Sequence, residues 1–455
     1  MNLQEFMRLL SRDSDLSIVD RPLDPYLEVA ALSALAAAEN GPALLFSRPR
    51  PSRFPILTNA LASPRRLALA LSHAELEDFG STAHSLLQQP QSLRKADLPI
   101  NDRPSCQEVQ CTGGKADFGL LPRMTFQPGD AGPCLTAAVV ATKHPETEQV
   151  NAGLYRVQII DDSKAVLGWH PGSGAEEHLA VAKRLQRILE VAVILGAPPA
   201  VTLAASFPLP PDVDEFGFAA HFCGTPLEMA RCKTVELSVP ADSQFILEGY
   251  VDPTQWVTEG PFGNHAGRQT APRQSPIFHL RAITHGSEPI FQAIAGGAPP
   301  SESCWMGKAF EPILRRQIMA GFTEVLDIAL PLEGIFQNFC FVRVASDCSA
   351  PLDLLTALLE GSFLRRFRFM VAVDKTVDVR ETSQVFSRIG NCVDPLRDIR
   401  VLHGPLAPWH DSATPGHGAK MLVDATLKKH HSPIPDHPEP AFTENIRAVW
   451  RSIRR

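Results

Sequence analysis

Apolar and polar positions change period several times along the chain, and each change marks an element. Leu27 to Glu39 is Ala-rich with helical character, while Pro42 to Phe46 and Phe54 to Asn59 are apolar runs of strand length. Residues 1 to 75 thus predict helices alternating with short strands, an α/β layer. Residues 76 to 118 are polar and irregular, with room for one or two helices. From Leu135 the pattern becomes strand-like, in LTAAVVATKH, VNAGLYRVQIID and KAVLGWH, each bounded by turn-forming residues. Glu176 to Gly196 places Leu179, Ala182, Leu185, Ile188, Leu189 and Ala192 at helical spacing and predicts one amphipathic helix. AVTLAASF reads as a strand, FAAHFCGTPLEM as holding a short helix, and CKTVELSVP, SQFILEGYV and IFHLRAITH as further strands. Met306 to Leu330 predicts a long connecting helix. NFCFVRVA, a helix over Leu352 to Arg365 and RFMVAVD then give a β-α-β unit and a C-terminal α/β domain.

The length of 455 residues exceeds one hydrophobic core and predicts two or three domains. The 40 prolines and 29 glycines gather in connections, as at Phe207 to Pro211 and Gly296 to Pro300, which fits strands and turns better than a helical bundle. A net charge of -7 without a basic block argues against nucleic-acid binding, and the basic end at Arg447, Arg451, Arg454 and Arg455 reads as a short helix with a solvated face. No apolar run is long enough for a membrane span, and Met1 to Arg12 lacks the features of a signal peptide. Nine scattered cysteines without zinc-type spacing predict reduced thiols in the cytoplasm, with Cys340 as a small core residue.

Five segments carry the chemistry: NAGLYRVQ (151 to 158), GTPLEMARCKTVEL (224 to 237), EGYVDP (248 to 253), EGPFGNHAG (259 to 267) and GAKMLVDAT (418 to 426). Taken singly each has an ordinary explanation: Arg156 and Glu259 as a structural ion pair, Asn151 and Glu228 as caps or turn residues. Taken together they describe a site. Glycines let backbone approach a ligand, and Pro261 fixes a dihedral, so the EGPFGNH turn can present Glu259 and Asn264 to one cavity. NAGLYR sets Asn151 and Arg156 near the ends of one strand segment, with Gly153 leaving room between them.

In order and spacing these segments resemble the signature stretches of the UbiD family of decarboxylases, from about Leu120 to Gly297 and again around Lys420. The resemblance implies a central split β-barrel of flavin-binding type (residues 119–304) behind an N-terminal α/β region (1–118). A linker helix (305–330) and a C-terminal α/β oligomerisation domain (331–455) follow. It also implies reversible, non-oxidative decarboxylation of an aromatic, heteroaromatic or α,β-unsaturated carboxylic acid. Loss of CO2 from an sp2 carbon leaves a carbanion that side chains cannot stabilise, so a cofactor must take the electrons. In the family that cofactor is prenylated FMN, supplied by a flavin prenyltransferase and held with Mn2+, often beside K+. The family forms homodimers or homohexamers.

Matched residue by residue, the resemblance makes Asn151 and Glu228 metal ligands and His170 a third, with a turn histidine as the alternative. Lys420 matches the lysine on the cofactor phosphate; without the surrounding motif it would read as a surface lysine. Leu154, Tyr155, Arg156, Gly168, Trp169, Ser173 and Gly174 would line the cofactor, with Trp169 alternatively a core aromatic. Arg156 is the arginine that grips the carboxylate, and Glu259 the acid that sets its position and charge. The family's second acid stands five residues further on, where this chain has Asn264. An amide is no general acid. Either His265 supplies the proton, or a heteroaromatic substrate needs less acid help, or activity is lost. Arg268, in the same loop, reads as a contact to a second anionic group or as a surface arginine. A flavin-binding protein without decarboxylase activity, or a structural subunit of a multisubunit carboxylase, are the competing readings.

Overall fold

Three larger sheets organise the chain, each built from runs whose apolar side chains need cover. The computed structural model describes residues 1–93, 97–335, 338–360, 363–406, 416–428 and 440–453. Of the basic C-terminal residues, Arg447 and Arg451 lie on the helix Pro440–Ile453, while Arg454 and Arg455 fall outside the described residues.

The N-terminal layer orders its strands as Leu16–Val19, Ala43–Phe46, Ile56–Thr58 and Phe291–Gln292, the last returning from the central domain. The helix Leu3–Arg12 opens with a reciprocal cap, in which Asn2 accepts from the Glu5 N–H and Glu5 from the Asn2 N–H, and it buries Leu3, Phe6 and Leu10.

The central domain is one nine-stranded, wholly antiparallel sheet, whose outermost members Val150–Leu154 and Cys134–Leu135 do not pair with each other. This is the split barrel expected from the sequence, in a mixed helix and sheet architecture. Its spine is the hairpin of Phe245–Glu259 with Arg273–His285, whose register shifts at Glu248/Gly249 and between Val251 and Trp256 bend the long strands.

The C-terminal domain is a five-stranded mixed sheet in the order Val325–Ala329, Phe339–Val344, Phe369–Val373, His417–Asp424, Ile399–Pro405, flanked by the helices Pro351–Glu360 and Thr382–Cys392. The helix Glu302–Gly321 leads into it and packs closely on the helix Leu76–Leu87: a Cβ on Gly80 would stand 2.3 Å from Pro312 Cβ.

Three sequence expectations are corrected. Glu176 to Gly196 is not one helix but the helix Gly174–Arg184 followed by the strand Leu189–Leu195, which lies between two partners inside the sheet. A run buried on both faces has no alternation, so its period does not separate strand from helix. AVTLAASF is not a strand: Pro199 at the first turn starts the helix Pro199–Ala204. The connecting helix ends at Gly321, and Val325–Ala329 is a strand. Cys340 is fully buried as expected, and all nine cysteines are free thiols. No described helix is long and apolar enough to cross a membrane.

Candidate functional site

Two short links cross the open seam of the barrel, Thr136–Ala137 between Cys134–Leu135 and Ala138–Lys143, and Tyr155–Arg156. Val150–Leu154 forms one edge of the sheet and Val157–Ile159 pairs beside the other, so Tyr155 and Arg156 bridge the gap between them. There the Arg156 guanidinium lies 4.1 Å from the Phe262 ring centre and donates Nε and Nη2 to Glu259 Oε1, at 3.1 and 2.6 Å.

Glu259 ends its strand opposite Arg273, which begins the next. Arg273 Nε donates to Glu259 Oε2 at 2.8 Å and Ser275 Oγ to the same oxygen at 2.9 Å. Glu259 is 1% exposed. Burial acts to raise its pKa, but the Arg156 and Arg273 charges outweigh burial and hold the carboxyl below its ordinary range. Gly168 makes room for this pair, because a Cβ there would stand 2.7 Å from Glu259 Oε1.

The following turn is pinned from below. Gly260 N donates to Gln158 Oε1 at 3.1 Å, Gly263 N to Asp130 Oδ1 at 2.8 Å, and Gly260 adopts a φ of 80°. Asn264 Oδ1 accepts from Ala266 N at 2.9 Å and Arg268 N at 3.2 Å, so its amide oxygen folds its own loop.

The opposite wall holds Asn151 and, by way of Ala152, Glu215. Glu215 Oε2 accepts from Ala152 N at 3.0 Å, and burial pushes its carboxyl up to about 7. Asn151 Nδ2 is buried without a hydrogen-bond partner. The Asn151 amide also presses on the start of the helix Gly174–Arg184: a Cβ on Gly174 would stand 2.2 Å from Asn151 Oδ1. His170 Nδ1 accepts from Arg273 Nη1 at 3.1 Å, since a guanidinium only donates. Although the residue is exposed overall, desolvation of the ring among its neighbours, then the Arg273 and Arg156 charges, lowers its pKa to about 4.

These groups line one cleft of about 1140 Å3, closed on its far side by Met306, Phe310, Leu330, Phe363 and Arg366 from the connecting helix and the C-terminal domain.

Comparison with known proteins decides the family. Three family models cover most of the chain: the 3-octaprenyl-4-hydroxybenzoate carboxy-lyase N-terminal domain over residues 7–83, the Rift-related domain over 99–299 and the C-terminal domain over 304–425. The chain belongs to the UbiD family. Uncharacterized proteins from Synechocystis sp. (sll0936) and Aquifex aeolicus are each 34% identical across 99% of this chain, and across 95% and 98% of their own lengths. Among solved structures, the UbiD-class enzyme HmfF from Pelotomaculum thermopropionicum in complex with FMN superposes with a TM-score of 0.87. It is 23% identical, with 97% of this chain and 98% of that one covered. The closed form of the Sedimentibacter hydroxybenzoicus vanillic acid decarboxylase gives 0.86 at 23% identity, over 99% and 98%.

Against this UbiD frame, Arg156, Glu259, Asn264, His265, Asn151, Leu154, Tyr155, His170, Ser173 and Gly174 line the cleft together. Three named residues stand apart from its lining. Gly168 acts from behind, through its contact with Glu259. Trp169 is 5% exposed and packs edge-on against Tyr155. Lys420 is 5% exposed and donates Nζ to the Arg365 carbonyl. Glu228 is displaced altogether: it is exposed, accepts from Asn101 Nδ2 at 2.7 Å and is absent from the cleft. The strand Met229–Arg231 beside it pairs with Ser238–Pro240, away from the seam. Sequence reading missed Glu215, Arg273 and Arg366. For Arg273 a signal existed, since hairpin pairing places it opposite Glu259; Glu215 carried only the helix-start pattern of Asp214 and Glu215.

Proposed function

We propose that this UbiD-family chain is a carboxy-lyase. It takes CO2 from, or at high CO2 returns it to, an aromatic, heteroaromatic or α,β-unsaturated acid, using prenylated FMN with Mn2+ and K+. The observation that supports this best is the buried Arg156–Glu259–Arg273 cluster at the barrel seam, in the same cleft as Asn151 and Glu215. The comparison structures agree with it: one HmfF form is described with prFMN, and Enterobacter cloacae has a 3,4-dihydroxybenzoic acid decarboxylase of this fold.

The residues present fit a flavin nucleotide and a cation. The cleft is larger than an ordinary small-molecule pocket of roughly 300–1,000 Å3. Asn151 Oδ1 and Glu215 offer an amide oxygen and a carboxylate on one wall of the cleft, hard donors suited to Mn2+ and K+. Glu215 takes the ligand role expected of Glu228. Among the described residues no three His, Cys, Asp or Glu side chains converge on a metal site, so the Asn151 amide completes the set, with His170 near the cleft mouth.

When bound, prenylated FMN supplies the electron sink that this reaction needs. The chain's own residues orient the acid and manage its proton. Arg156 turns Nε and Nη2 toward Glu259 and keeps Nη1 for a substrate carboxylate. Glu259, held anionic, fixes that guanidinium. His265, in the loop folded by Asn264, is the proton donor in place of the missing acid. We place the enzyme in the cytoplasm as a homodimer or homohexamer, with a flavin prenyltransferase as cofactor supplier.

The test is co-expression with a flavin prenyltransferase, a spectrum, and incubation with a panel of aromatic and unsaturated acids in D2O. A modified-flavin spectrum with deuterated product is expected. Bound modified flavin without turnover on any acid would favour a binding protein, and absence of both would leave a structural role.

A further inference from the structure

Asp130 lines the cleft and turns both carboxylate oxygens to backbone N–H groups. Oδ2 accepts from Gln127 N at 2.9 Å and from Phe126 N at 3.3 Å, closing its own loop, and Oδ1 reaches across to Gly263 N at 2.8 Å. The neighbouring Ala131 N donates to the Pro261 carbonyl at 2.9 Å. Residues 130 and 131 therefore grip the chain on both sides of Phe262. The two loops touch closely here: a Cβ on Gly263 would stand 2.4 Å from Gln127 Cγ, and Gln269 Nε2 donates to the Pro128 carbonyl at 3.3 Å. Each of these contacts to Asp130 comes from an N–H donor, so its carboxylate works as an acceptor and not as the proton donor absent at position 264.

Phe262 is 2% exposed, and the Arg156 guanidinium lies over its ring at 4.1 Å. Glu259 holds that guanidinium along one edge, through Nε and Nη2 on Oε1. Bonds along one edge fix the direction of the planar group and leave it free to tilt about that edge; a ring beneath it removes the tilt. The plane that Arg156 offers to a carboxylate is thus set by an acid and a ring, and the ring is set by Asp130 and Ala131.

We infer that Asp130 is a positioning residue, which fixes Phe262 through Gly263 and so sets the tilt at which Arg156 meets the substrate carboxylate. The inference rests on the carboxy-lyase reading of the cleft. It gives the loop before Cys134–Leu135 a share in orienting the acid, although that loop lies outside the five segments that mark the site in the sequence.

Asp130→Asn keeps the shape of the side chain and leaves it one acceptor oxygen in place of two. Phe262→Leu keeps an apolar side chain and removes the ring. Both variants, and the double variant, are loaded with prenylated FMN and assayed on an acid that the wild type turns over. In each single variant kcat/KM is expected to fall about tenfold, mainly through KM, with flavin content retained and the thermal midpoint within about 2 °C of wild type. Because Asp130 acts through Phe262, the double variant should fall no further than Phe262→Leu alone. Hydrogen exchange at the Gly263 amide should be about tenfold faster in Asp130→Asn. A double variant that loses the product of the two single factors overturns the route through Phe262. A loss in Asp130→Asn matched by falls in flavin content and thermal midpoint marks a fold contact and overturns the positioning role. Normal kcat/KM in Asp130→Asn, with an active wild type, overturns the inference alone. Wild-type protein that holds the flavin but turns over no acid overturns the carboxy-lyase reading, and the inference with it.

Discussion

Glu259 and Arg273 close the central hairpin as directly paired residues, with Arg273 Nε donating to Glu259 Oε2 at 2.8 Å. Because Arg156 holds the other oxygen, one buried carboxylate serves two guanidinium groups that are 24% and 31% exposed. The acid therefore sits between two arginines at the floor of the cleft, where the sequence suggested an arginine between two acids.

Glu259→Gln should abolish turnover, a loss of at least about a hundredfold in kcat, while flavin stays bound. It leaves two guanidinium groups without their anion and should cost about 2 to 3 kcal/mol in urea unfolding, reduced from the fully buried case by their partial exposure. Turnover at the wild-type rate would remove Glu259 from the mechanism.

Arg273→Gln should release His170. The imidazole sits near 4 because of desolvation and then the Arg273 and Arg156 charges, so deleting the first charge should move its pKa upward toward 6.5. A histidine proton titration by NMR reads this directly, and an unmoved resonance would show that desolvation alone sets the value.

Glu215→Gln should reduce Mn2+ retained after gel filtration by tenfold or more, whereas Glu228→Gln should leave it unchanged. Metal analysis of the two purified variants separates the buried carboxylate beside Asn151 from the exposed one bonded to Asn101. Equal losses would show that the cleft geometry does not define the cation site.

Glu302 gives the fold a pH dependence of its own. It is 1% exposed and accepts from Asn59 N at 3.0 Å and Leu61 N at 2.8 Å, and burial raises its carboxyl from 4.5 to about 7. Between those values the folded chain keeps a proton that the unfolded chain has released. Its contribution is thus complete below pH 4.5 and disappears as pH climbs through 7, on the order of 3 kcal/mol in all. In denaturant unfolding from pH 4.5 to 8, the difference between wild type and Glu302→Gln should show that decline, because Glu215 and His170 contribute equally to both proteins. A decline of the same size in the variant would assign it to other groups.

Strand periodicity made the hairpin of the barrel readable, and the glycine-rich EGPFGNH turn marked the site loop before any contact was known. Where burial on both faces removed alternation, as at Leu189–Leu195, the pattern was equally good for a helix. Asn151 and Arg156 were legible because one short segment carries both. Glu215 was not, since its link to Asn151 is a hydrogen bond to Ala152 N across 63 positions of sequence.

Sequence alone determined which side chains this chain brings to the proposed site: Arg156, Glu259 and an amide at position 264. Order along the chain could not say which of them share a cavity. Only the folded barrel brings the seam at Tyr155–Arg156 against the end of the hairpin, gives Glu259 its second arginine and turns Lys420 away from the cleft. The reason is physical: charge pairing and enclosure act over a few ångströms in space, and the groups they join lie tens to hundreds of residues apart.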